Sequence, residues 1–171
     1  MDGFHESVVY SLESALGEMN TKMEHLAAML EHSPSKVVLR GLSTLQLQKA
    51  MLAVGAFSMF EASLQNEFGL EDGYAFREAS LRLASMGCCQ LKDRLVEMQS
   101  AINALKHGRG SSYSKLLDRP HELTFRVKMR DEAYFNEGDV GEIQTLVEVD
   151  DAFVRAVATL IFEIGEALHT G

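Results

Sequence analysis

The residues of this chain best suited to chemistry cluster where a helical pattern ends, in the run Ile102-Asn103-Ala104-Leu105-Lys106-His107-Gly108. Asn103 and His107 are four positions apart, so a helix places them on one face, one turn from each other. Histidine exchanges a proton near neutral pH. Lys106 and Arg109 bracket it in the chain, and Ser111 and Lys115 follow shortly after. A fixed cation beside an imidazole suits phosphate chemistry, because it holds negative charge as it develops on a phosphoryl oxygen. The same residues have a structural reading. A cation in the last helical turn meets the helix dipole, worth about 0.3–1 kcal/mol, and Asn103 can hold the ring by hydrogen bonding.

This run resembles the signature of HEPN-domain proteins, in which an arginine, usually followed by a polar residue, precedes a histidine by about five positions near the end of a bundle helix. Asn103 and His107 match the polar residue and the histidine, while Ile102 stands where the arginine is expected. The chain length, the helical patterning and a Phe60-Glu61 pair on a second long helix are similar too. The resemblance implies a homodimer whose paired helices form a cleft for metal-independent RNA cleavage, through attack by the ribose 2′-hydroxyl. His107 and Asn103 would then hold the catalytic positions. Lys106, Arg109, Ser111 and Lys115 are the candidate ligand contacts.

Ile102 can neither move a proton nor hold a phosphate. It also falls on the apolar stripe of Leu91, Leu95, Met98 and Leu105, which predicts burial. Two functions therefore compete. One is a HEPN-like protein that contacts RNA or another anionic ligand at the end of the fourth helix, with Lys106 or Arg109 as a displaced cation. The other is a non-catalytic helical module for protein–protein interaction or oligomerisation, with a protein partner in place of RNA.

Other chemistries find little in the sequence. Gly108 to Lys115 combines two glycines, an arginine, two serines and a helix start, but the glycine spacing and the Lys–Ser order are not those of a P-loop, and a helix rather than a strand precedes it. A helix stop followed by a cap explains it better than an anion site. His5, His25, His32, His107, His121 and His169 are scattered, without HExxH, paired ExxH or CxxC spacing, so no metal or other cofactor is expected. Glu24-His25 and Glu31-His32 recur at seven residues and share one helical edge, solvated or facing a subunit.

A formal net charge of −9 argues against nonspecific coating of nucleic acid. The charge is uneven, however. From Lys106 to Arg130 the local sum is +5, leaving −14 for the rest, and eight acids with no Lys or Arg follow from Asp131 to Asp151. Adjacent blocks of opposite sign are expected to pair with each other or to be solvated. Cys88 and Cys89 are neighbours, a poor geometry for a disulfide, and read as reduced thiols. With no secretory signal, a cytoplasmic location is expected. The apolar run from Ala50 to Phe60 is far short of the roughly 20 residues that span a bilayer, so no membrane insertion is expected.

The positioning elements follow from periodicity. Val8, Leu12, Ala15, Met19, Met23, Leu26 and Leu30 predict a helix from about Glu6 to Glu31, broken at Ser33-Pro34. A second helix should run from Ser35 to Phe68 and stop at Gly69, with Gly41 and Gly55 marking kinks or close contacts. After an Asp72-Gly73 turn, a third carries Phe76, Ala79, Leu83 and Met86 to Gly87, and a fourth ends at Gly108. The serines at 111 and 112 should cap a short helix from Tyr113 to Leu117, closed by Pro120. Alternation in 123–128 and 145–149 predicts a small two-stranded β-ribbon, and Asp150 or Asp151 should cap a terminal helix. The expectation is one all-α domain: an up-and-down bundle of four to five main helices, with a small β-ribbon inserted near 123–149.

Overall fold

The architecture is a helical bundle, seen in a computed structural model that describes residues 3–32, 35–71, 73–132 and 145–170. The Ser33-Pro34 break, Asp72, the His32 side chain and most of the acid-rich stretch, 133–144, lie outside the described residues. In chain order the helices are α1 (Phe4–His32), α2 (Lys36–Phe68), α3 (Ala75–Ser85), α4 (Cys89–His107), the short α5 (Ser111–Leu117) and α6 (Asp151–Thr170). One hydrophobic core draws side chains from all of them.

The helix ends fall where local chemistry stops them. Ser35 caps α2, its hydroxyl accepting the Val38 N–H at 3.3 Å. Gly69, Gly87 and Gly108 end or follow their helices at φ 64°, 78° and 72°, a left-handed region that other residues enter at a steric cost. Asp150 caps α6 by accepting the Phe153 N–H at 2.7 Å.

Two local expectations are corrected. Ser111 and Ser112 do not cap α5. Gly110 occupies the cap position in extended geometry without a side-chain bond, and both serines already lie inside the first helical turn. The β-ribbon shrinks to one antiparallel bridge, Val127 to Val147, held by Lys128 N–H to the Leu146 carbonyl at 2.9 Å and Glu148 N–H to the Arg126 carbonyl at 3.0 Å. It stops there because the chain turns at Met129–Glu132, where Glu132 caps the Met129 N–H at 3.1 Å. Arg126 anchors the bridge by donating to Glu148 at 3.0 Å and to Glu132, so the basic and acidic segments do meet at this point.

Helices α1 and α6 are antiparallel along their shared length. His5 meets Glu166 at 2.8 Å, Glu13 meets Arg155 at 3.2 Å, and Asn20 donates to Asp151 at the first residue of α6. Beyond Asn20, α1 runs on for about 18 Å at 1.5 Å per residue, packed only against the first part of α2 among the described residues. This two-helix arm has its own small apolar seam of Val38, Leu42 and Leu45, separate from the main core. Met19, Met23, Leu26 and Leu30 of the α1 stripe are only half-buried there, whereas Leu16 of the body is fully buried. Gly41 is a close contact: a Cβ at this position would come within 2.9 Å of Leu26.

Candidate functional site

Helix α4 is held from below by the core. Leu95, Met98, Ala101, Ile102 and Ala104 are buried, a wider apolar face than a strict heptad seam supplies. Ile102 is 3% exposed, so its side chain points into the core, as the apolar stripe of α4 predicts. Asn103 is half-buried and His107 exposed, one turn apart at the helix end.

The cations around His107 disperse. Lys106 acts on Glu61 of α2: burial raises the Glu61 carboxyl above its ordinary range, and the lysine's charge partly offsets this. Arg109 donates to the backbone carbonyl of Arg130 at 3.3 Å, across the α4–α5 turn. Ser111 is exposed. Lys115 is carried onto the flank of α4, because α5 folds back along it and is pinned there by Tyr113, a buried phenol donating to the Lys128 carbonyl at 2.6 Å.

The groove so formed, about 420 Å³, lies between α4 and α5. Lys92, Lys115 and Arg119 line it, and so do Asp93, Glu97 and Asp118, so its charges balance. Glu97 shows the consequence of crowding: burial first, then Asp93, raise its carboxyl, against a counter-pull from Arg119. On α4 the lining reaches Ser100; Asn103 and His107 come three and seven residues later and are not part of it. Of the sequence-derived candidates, therefore, only Lys115 enters this groove. Lys92, Glu97 and Arg119 were missed, since nothing in the local pattern tells that α5 turns back over α4.

A second surface lies on α2. Leu47, Met51 and Met59 are 49%, 64% and 61% exposed, and the exposed Gly55 sits between the two methionines with no atom within 4 Å of where its Cβ would be. At 100° per residue these four positions lie within one half of the helix, turned away from buried Ala53, Phe57, Phe60 and Leu64. Gln48, Ala62 and Asn66 extend the face, which carries no exposed charge between Arg40 and the end of the helix. Lys49, the only basic residue in that span, is buried and bonded to Asp151 at 2.6 Å.

No helix among the described residues is long and apolar enough to cross a membrane. In comparison with known proteins no family model, no curated protein and no solved structure matches this chain, which leaves the two surfaces above to carry the functional argument.

Proposed function

We propose that this chain is a non-catalytic helical interaction module that engages a protein partner through the outer face of α2. The observation that carries the reading is the charge-free exposed stripe of Leu47, Met51, Gly55 and Met59, since contiguous exposed apolar side chains on a folded surface mark contact sites. The end of α4 supports it by what it lacks. Cleaving RNA there needs a cation fixed beside His107. Ile102 is in the core, Lys106 lies in the field of Glu61, and Arg109 reaches back to a backbone carbonyl.

A second reading keeps the HEPN-like resemblance: an anionic ligand, RNA foremost, contacting Asn103, His107, Lys106, Arg109, Ser111 and Lys115. What favours it is the exposure of His107, Arg109, Ser111 and Lys115 around one helix end. The two readings separate in a titration of labelled single-stranded RNA between about 50 and 200 mM salt, where several phosphate contacts demand a loss of orders of magnitude in affinity. The expected result is no saturable binding, and no cleavage in EDTA by either wild type or His107→Ala. Steeply salt-dependent binding abolished by Arg109→Glu and Lys115→Glu would replace the module with the RNA reading, and EDTA-resistant cleavage lost in His107→Ala would make it an enzyme.

A further inference from the structure

We infer that the arm formed by α1 and α2 takes an acidic, amphipathic helical segment of the partner protein in the groove between its two helices. This rests on the interaction-module reading and gives the partner its chemistry.

The groove, about 670 Å³, opens along one side of the arm. Leu26 and Leu45 form its floor. Val37 stands at its lip, 81% exposed, the highest value of any large apolar side chain among the described residues. A hydrophobic groove between helices is the kind of surface that receives the apolar face of an amphipathic helix.

The polar rim has one sign. Lys22, His25 and Arg40 line it and, among the described residues, no Asp or Glu does, in a chain that carries 25 acids against 16 Lys and Arg. Thr21 and Thr44 donate their hydroxyls to carbonyls of their own helices, at 3.0 and 2.7 Å. The donors left to a ligand are therefore those of Lys22, His25, Arg40 and Gln48, and carboxylates are the acceptors that match them. The acids of α1 do not cancel this charge. Glu24 and Glu31 lie roughly 160–180° around the helix from Lys22, on its far side. Glu18 lines the adjoining cleft instead, toward the body, beside Met19 and Met51.

That cleft, about 460 Å³, shares Lys22 and Gln48 with the groove, so the two form one channel. At 100° per residue Val37, Arg40, Thr44 and Gln48 all lie within about 60° of Met51, so the groove and the exposed stripe occupy the same side of α2. From Val37 to Met59 this side runs about 33 Å, the length of a helix of about 22 residues. Lys36, exposed at the start of α2, adds to the positive end. A partner helix laid along the channel meets methionines at one end and bases at the other. Its apolar face runs throughout, and its acids belong at the arm.

The test is fluorescence anisotropy of the full chain with a labelled synthetic peptide of about 20 residues, which as a helix covers about 30 Å. It is built of Leu, Ala and Glu, with leucines three and four apart and glutamates gathered at one end. Saturable binding is expected, and exchanging the peptide's Glu for Lys, or its Leu for Ser, should abolish it. Lys22→Glu and Arg40→Glu, both at exposed side chains, should each weaken binding at least about 10-fold with unchanged circular dichroism. Arg77→Glu on α3 changes the net charge equally, away from the groove, and should have no such effect. A wild type that ignores the Leu–Glu peptide, or that loses it equally to Arg77→Glu and Arg40→Glu, overturns the proposal. So does recruitment to phosphatidylserine vesicles that is lost in Arg40→Glu while no peptide binds, which would make the arm a lipid contact. The module reading is judged by the RNA titration, which uses neither peptide nor vesicle, so the two can fail separately.

Discussion

Asp151→Ala is expected to destabilise the protein by about 3–5 kcal/mol, the range for stripping a buried ion of its partner. Its carboxylate lies at the junction of three helices. The Lys49 ammonium of α2 sits 2.6 Å from one oxygen with its side chain 4% exposed, Asn20 of α1 donates to the other oxygen, and Arg155 of α6 lies at 3.8 Å. Without Asp151, Lys49 must stay charged in the core or give up its proton, and both outcomes disfavour the fold. Asp151 is a quarter exposed, which lets water offset part of the loss and places the result toward the lower end of the range. Lys49→Met paired with Asp151→Asn should lose much less, because no buried charge is stranded. Urea midpoints for the three proteins decide the matter. Equal midpoints for wild type and Asp151→Ala would mean that the pair holds nothing together.

The same carboxylate sets a pH dependence. Burial alone would raise its pKa, but the bonds from Lys49 and Asn20, with the Lys49 and Arg155 charges, prevail and hold it below the ordinary value. A depressed folded pKa means stabilisation that is present above the unfolded value, about 3.9, and lost as pH falls through the folded value. Wild type should therefore lose stability more steeply than Asp151→Ala below about pH 4.

The second large effect is expected from Phe57→Ala, at about 3–5 kcal/mol. Phe57 is 1% exposed, and its ring lies 4.6 Å from Phe76 of α3 and 6.5 Å from Phe60, centroid to centroid. Removing it opens a cavity where α2 meets α3. At roughly 2–4 °C per kcal/mol for a chain of this size, the melting temperature should fall by about 6–20 °C in calorimetry. Phe57 points inward two residues from outward-facing Gly55, so the aromatic cluster also fixes the rotation of α2 and hence which side chains it presents. A fall of less than about 1 kcal/mol would show that the cluster repacks without it.

Much of the bundle was legible from spacing. Apolar residues three and four apart gave the long helices to within two residues, and Gly69 and Gly108 marked ends that need a left-handed turn. Ile102 belonged to an apolar stripe and is buried with its Leu95 and Met98, while Leu91 and Leu105 are half-buried. What escaped depends on partners distant in the chain. Lys49 reads as an ordinary polar flank of the Ala50 to Phe60 run, and only the arrival of α6 turns it into a buried ion. Lys106 and Arg109 look like a cationic cluster in one dimension, yet the Lys106 charge acts on the Glu61 carboxyl and Arg109 donates to the Arg130 carbonyl. The α5 serines failed as caps because glycine at 110 already takes the extended geometry the cap position needs.

The projecting hairpin of α1 and α2 makes cooperativity uneven along the molecule. Its seam of three buried side chains is slight beside the body's core, so its amides should open to solvent at lower free energy than those of the bundle, as a separate foldon. The Asn20, Lys49 and Asp151 junction marks the boundary between the body and the described residues of this tip, 21–32 and 35–45. Whatever grips the tip would slow hydrogen exchange there, sooner than it would raise the global melting point.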